Sequence, residues 1–199
     1  IPILQKEGFE ADDVIGTLAT KAGQEGVETY MLTPDKDYGQ LVKDNVFMYK
    51  PRHGGGYDII GPQQIQAKYG VERPEQVIDL LALMGDAVDN FPGCPGVGEK
   101  TAVKLINAFG SVEGLLSNTT QLKGKMRLNV EAATEDIKMS KFLATIKTDV
   151  PIELQLDVLE IQKPDEAKLR EIFAELEFKT LANKILNGGA EKAKNSTLQ

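Results

Sequence analysis

Nineteen residues from Met84 to Ala102, MGDAVDNFPGCPGVGEKTA, constrain the fold of this chain more than any other stretch. Pro92 and Pro95 with Gly85, Gly93, Gly96 and Gly98 exclude a continuous helix, because proline lacks an amide donor and glycine costs about 1 kcal/mol inside a helix. On either side the apolar residues follow a helical period: Val77, Ile78, Leu80, Leu81, Leu83 and Met84 before, Ala102, Val103, Leu105, Ile106 and Phe109 after. The stretch is therefore a tight hairpin between two packed helices. Its glycines, Gly96 and Gly98, open the second helix with unpaired amides, which bind anions such as phosphate, and Lys100 and Lys104 add charge beside them. An ordinary helix-turn-helix corner is the alternative reading of the glycines, and the acids upstream count against it.

Length and composition bound the rest. A chain of 199 residues with 41% hydrophobic content can bury a core of one large domain or slightly more. Its apolar runs are too short to span a bilayer, so no membrane partner is expected. The sole cysteine, Cys94, excludes an intramolecular disulfide and suits a reducing, cytoplasmic setting. Net charge is −7, which by itself opposes a nucleic-acid partner. The acidity is concentrated before residue 96, however, and carboxylates that hold divalent cations can face a polyanion.

In chain order, an amphipathic helix carries Val14, Ile15, Leu18, Ala19 and Ala22 and ends near Gly23 or Gly26. Residues 28–33 read as a short buried strand, following that helix as in a parallel βαβ unit. Residues 45–50 and 57–60 read as two further strands joined by a glycine-rich loop in which His53 is solvent-exposed. Proline-initiated helices start at Pro62 and Pro74, and Ser111 caps a short helix through Leu116. One long helix fits 128–145, and Gly124-Lys125-Met126-Arg127 before it reads as a solvated basic helix start, with a second phosphate-facing segment as the alternative. Residues 150–156 alternate like an extended segment, and 165–178 form an amphipathic helix. The last residues, 188–199, read as a linker or tail.

Three acidic clusters stand at the ends of these elements: Glu10, Asp12 and Asp13; Asp35 and Asp37; Asp86 and Asp89. Helix capping accounts for one acid at a helix start, and turns favour Asp at 35 and 37. Seven acids without a paired His or Cys instead form a hard-oxygen set that selects Mg2+ or Mn2+ over zinc. If they converge, two ions can activate a water and steady the leaving oxygen of a phosphodiester.

The motifs GFEADDVI (8–15), TPDKD (33–37), QLV (40–42), LALMGD (81–86), Asp89-Asn90, PGVGEKTA (95–102) and LATIKTDV (143–150), taken in order, resemble the 5′-nuclease domain of bacterial DNA polymerase I, of the 5′-3′ exonuclease and flap endonuclease family. The resemblance implies an α/β fold: a PIN-like metal-binding core over 1–80, then a helical region with a helix-hairpin-helix variant over 81–187. It implies two-metal hydrolysis of 5′ flaps and of nicked or gapped duplex DNA in replication and repair. Glu10, Asp12, Asp13, Asp35, Asp37, Asp86 and Asp89 fall on the family's metal positions, with Asp35, Asp37, Asp86 and Asp89 as the catalytic acids. Gly96, Gly98, Lys100, Thr101 and Lys104 fall on its duplex-binding hairpin, where a K+ ion often sits.

The resemblance also implies an upstream portion with a further strand, two more aspartates and a basic arch, and a downstream polymerase domain in the same bacterial, nucleoid-associated polypeptide. On this reading the chain is an N-terminally truncated fragment, and the expectation is that alone it binds DNA but cuts it poorly. A non-catalytic, structure-specific DNA-binding module is the alternative.

Overall fold

The computed structural model describes residues 2–187, so the expected linker at 188–199 lies outside the described residues. The chain forms two compact units, Leu4–Leu154 and a smaller one comprising residues 2–3 and 155–187.

In the larger unit, α1 (Ala11–Gln24) leads to β1 (Thr29–Leu32), and a 3-10 turn, Lys36–Leu41, precedes β2 (Val46–Pro51) and β3 (Tyr57–Ile60). The sheet order is β1-β2-β3, with β1 parallel to β2 in the register Thr29↔Val46 to Leu32↔Tyr49, and β3 antiparallel to β2. The parallel pair needs a crossover, and the segment 33–45 supplies it, placing the Asp35–Asp37 loop at the carboxyl end of β1. One correction concerns β1, expected as a buried strand. Only Met31 is buried, while Tyr30 and Leu32 are exposed on a face where Tyr30, Phe47, Tyr49 and Tyr57 pack ring against ring at centroid distances of 4.4–6.0 Å.

Helices follow: α2 (Pro62–Tyr69), α3 (Val77–Met84, entered through a 3-10 turn at Pro74–Gln76), α4 (Glu99–Phe109), α5 (Val112–Ser117), α6 (Gly124–Ala132) and α7 (Thr134–Ala144). The long helix expected over 128–145 is two helices, broken at Ala133 (φ −94°, ψ 12°). The Thr134 hydroxyl donates to the carbonyls of Val130 and Glu131 at 3.1 and 3.0 Å, an alternative to continuing the helical ladder. The segment 150–156 joins no strand. Its start is held instead by the Val150 amide donating to Thr17 Oγ1 (3.1 Å) and Lys21 Nζ donating to the Ile152 carbonyl (2.6 Å). In the smaller unit α8 (Glu166–Glu175) is capped by Asp165, which accepts from the Lys168 amide, and the short α9 (Lys179–Ala182) follows.

Two apolar cores meet along α3. Leu80, Ala82 and Leu83 pack with Cys94, Ala102, Leu105, Ile106, Leu115, Val130 and Ile137. Val77 and Leu81 pack with Met31, Leu41, Val46, Met48, Ile65 and Phe91. Apart from Asp79, which is buried against Lys141 (2.7 Å), α3 is apolar on all sides, and it serves both the sheet and the helical layer.

The hairpin expected after α3 is two successive turns. Gly85 (φ 72°) ends the helix, and Asp86 and Phe91 exchange reciprocal backbone bonds of 3.0 Å around a loop containing Asp89. The chain then crosses back over the helix end. The Cys94 amide donates to the Leu83 carbonyl (2.8 Å) and the Gly93 amide to the buried Ser140 hydroxyl of α7 (2.9 Å). A Cβ on Gly93 (φ 63°) would lie 2.3 Å from the Gly85 nitrogen. Gly93→Ala is therefore expected to lower stability by about 3 kcal/mol or more in urea denaturation, since strained φ and backbone overlap add. Gly98→Ala, with open space around the site and φ −100°, is expected to change it by less than about 1 kcal/mol. Equal losses for the two would contradict the crossing geometry.

Candidate metal and nucleic-acid site

Each acidic cluster owes its position to a neighbouring element end. Glu10 occupies the cap position of α1 but makes no side-chain cap bond, so capping does not explain this triplet of acids. Asp12 and Asp13 are oriented by distant partners: the buried Tyr38 hydroxyl donates to Asp12 Oδ1 (2.8 Å), and the Lys147 amide donates to Asp13 Oδ1 (2.9 Å). Asp35 does serve its turn, accepting from the Asp37 amide at 3.0 Å.

Six of the acids, Glu10, Asp12, Asp13, Asp35, Asp37 and Asp89, line one cleft of about 260 Å³, closed on one side by Phe91 and residues 143–146. That wall is fixed from below. Gln40, 4% exposed, donates to the Ala144 carbonyl (2.9 Å) and accepts from the Ile146 amide (3.0 Å). Gly16 of α1 lets Ile146 approach, since a Cβ there would lie 2.6 Å from Ile146 Cγ2. Among the described residues, no three of these side chains close round a single point as a ready ligand set.

Asp86 stands apart from the cleft lining. Its Oδ2 is ion-paired with Lys36, which lies between Asp35 and Asp37, and the lysine holds its carboxyl below the usual range. Its Oδ1 accepts from the amides of Val88 (2.8 Å) and Asp89 (3.4 Å).

The donor chemistry of the cleft suits hard divalent cations: its lining oxygens are carboxylates, and Asp37 Oδ1 is buried without a hydrogen-bond partner among the described residues. Burial, aided by Asp35, pushes the Asp37 carboxyl up to about 6.

At the hairpin, Gly98 caps α4 and accepts from the amides of Thr101 and Ala102 (both 2.9 Å). Gly96 and Gly98 are exposed, as are Lys100 and Lys104, which form no ion pair with any described residue; Thr101 is half-buried. The basic start of α6, expected as a solvated helix end with a second phosphate-facing segment as the alternative, lies against this turn: Lys125, Met126 and Asn129 share a recess with Pro95 and Gly96, and Asn129 Nδ2 donates to the Pro95 carbonyl (2.8 Å). Tyr38, Gln40, Ser140 and Lys36 had no assigned part in the reading of the residues. The one local sign was Gln40 itself, an amide directly before the apolar Leu41 and Val42.

Two consecutive family models match the chain, the 5′-3′ exonuclease N-terminal resolvase-like domain over residues 1–70 and the 5′-3′ exonuclease C-terminal SAM fold over 72–167. This chain belongs to the 5′-3′ exonuclease family. It is 41% identical over 196 residues to a DNA polymerase I of Bacillus caldotenax, covering 98% of this chain and 22% of that protein. It is 40% identical over 185 residues to a 5′-3′ exonuclease of Aquifex aeolicus, covering 93% and 62%. The chain thus spans about a fifth of the length of the polymerase relatives it matches. A solved bacteriophage T5 flap endonuclease, in a pseudo-enzyme–product complex with DNA and metal ions, superposes with a TM-score of 0.65 at 25% identity, covering 74% of this chain and 54% of that one. The α/β core and helical layer are those of this family.

The raised Asp37 carboxyl sets a pH dependence. Between about pH 4, the unfolded value, and about 6, the folded chain holds the extra proton, so this group's contribution to stability falls as pH rises through that window. Without divalent ions, Asp37→Asn is expected to raise stability at pH 7 by about 1 kcal/mol, a figure discounted for partial exposure, with no gain at pH 4. Thermal unfolding in EDTA at the two pH values checks it; an equal effect at both would contradict the burial of this carboxyl.

Proposed function

We propose that this chain grips branched DNA and hydrolyses phosphodiesters at 5′ ends and flaps, using two divalent ions, Mg2+ or Mn2+, in its acid cleft. The observation that carries the reading is the gathering of six carboxylates from three separate stretches into one cleft, the last of them, Asp89, standing just before a glycine-rich turn whose lysines form no ion pair with any described residue. The names of the relatives, a 5′-3′ exonuclease and a flap endonuclease bound to DNA and metal ions, support it.

Glu10, Asp12, Asp13, Asp35, Asp37, Asp86 and Asp89 would hold the ions, with Asp35, Asp37, Asp86 and Asp89 nearest the reaction. When bound, such ions supply Lewis-acid activation of water and stabilisation of the departing oxygen. The chain's own residues position the rest. Tyr38 and the Lys147 amide hold Asp12 and Asp13 to one orientation, and Gln40 fixes the cleft wall. The amides after Gly96 and Gly98, with Lys100, Thr101 and Lys104, hold duplex phosphates, and a K+ ion between turn carbonyls and a phosphate belongs to the same reading; Lys125 stands close enough to the turn to extend the track. In this reading residues up to 80 carry most of the metal site and 81–187 hold the duplex. A polymerase domain in the same polypeptide and a cytoplasmic location accompany it. Among the described residues, no helix is long and apolar enough to cross a membrane.

The open disposition of the acids favours one second reading, a structure-specific DNA-binding module without chemistry. Incubating a labelled 5′-flap duplex with the chain and Mg2+ separates the two. Slow release of flap nucleotides is expected, stopped by EDTA and lowered at least 100-fold by Asp35→Asn with Asp37→Asn. Binding without release at any metal concentration would establish the second reading.

For the grip, Lys100→Ala is expected to weaken binding similarly for unrelated sequences and to lower the salt slope by about one unit, because phosphate contacts carry no sequence information. Titrations at several salt concentrations measure this. A loss confined to one base sequence would contradict backbone recognition.

A further inference from the structure

Lys36 stands between Asp35 and Asp37 and reaches Asp86, a cation in the midst of acids. Asp86 is held rigidly: its side chain is 7% exposed, and one of its two oxygens is already taken by the Val88 and Asp89 amides. The other oxygen, Oδ2, is the one left to bind a cation, and it accepts from the Lys36 ammonium. The lysine, by contrast, is 47% exposed and makes no other side-chain bond among the described residues, so it can swing into solvent while the carboxylate cannot follow.

We infer that Lys36 is a resident counter-ion of Asp86, a positioning residue that a divalent cation must displace from Oδ2 and that thereby sets the metal affinity of the cleft. The inference rests on the metal-binding reading above. A lysine ammonium is a compact, strongly hydrated charge on a flexible stem, which suits it to neutralise a carboxylate reversibly. It prevents Asp86 from adding its full charge to the repulsion of the neighbouring acids while no divalent ion is bound.

The test is a titration of the whole chain with Mn2+ alone, following the signal of the free ion by electron paramagnetic resonance. Lys36→Met is expected to bind the first Mn2+ about fivefold more tightly, as expected for releasing a partly exposed ion pair, and Lys36→Arg to bind like the parent chain. The distinguishing readout is the same Lys36→Met change made together with Asp86→Asn, where the gain is expected to shrink below about twofold because the contested oxygen is altered. An equal gain in both backgrounds would make Lys36 a remote charge and overturn the inference while leaving the metal site intact, as would no gain at all. Absence of Mn2+ binding in the parent chain and in every variant would overturn the metal reading itself, and the inference with it.

Discussion

Mutual repulsion among carboxylates is the constraint that the rest of this structure answers to. Two unit charges about 6 Å apart repel by roughly 3 kcal/mol at an effective dielectric of about 20, and six acids line a single cleft here. A fold keeps such a set together only where other interactions hold each acid's backbone in place. In this chain those interactions are long-range and polar: Tyr38 to Asp12, Lys147 to Asp13, Gln40 to Ala144 and Ile146, and Thr17 to Val150. Lys36 offsets part of the charge at Asp86, while burial first and the neighbouring Asp35 second push up the Asp37 carboxyl, one of whose oxygens has no hydrogen-bond partner among the described residues.

The apolar counterpart is α3. Its residues Val77 and Leu81 belong to the core beneath the sheet, Leu80 and Leu83 to the core of the helical layer, and its C-terminal end delivers Asp86 and Asp89 at the edge of the cleft. The same end receives the returning chain through Cys94 and Gly93, and the Gly96–Gly98 turn that opens α4 follows within a few residues. A rigid crossing at Gly85 and Gly93 therefore couples the spacing of the acids to that of the proposed phosphate grip. Ser140 extends the coupling to α7, whose C-terminal continuation forms the cleft wall.

Much of this was legible in the sequence, for local reasons. The bounds of α1, of the three strands and of α2 to α5 follow from period, proline and glycine, because those signals act within a few residues. The break between α6 and α7 was hidden because Ala133 and Thr134 interrupt neither the apolar period nor the charge pattern. The alternation at 150–156 suggested an extended segment, yet its start is held by α1 side chains and joins no ladder. Acid placement was read correctly as lying at element ends, but the partners that aim those acids stand 26 to 134 residues away, where no spacing rule reaches. Nor could it show that Asp86 meets Lys36 while the other six share the cleft.

The most direct measurement is a crystal structure of the chain grown or soaked with Mn2+, with anomalous diffraction used to locate the ions. Anomalous peaks are expected inside the cleft, within about 2.0–2.4 Å of Asp35 and Asp37 oxygens, with the buried Asp37 Oδ1 among the ligands. Peaks only at the surface, or an empty cleft at millimolar Mn2+ with Asp37 protonated, would contradict this expectation.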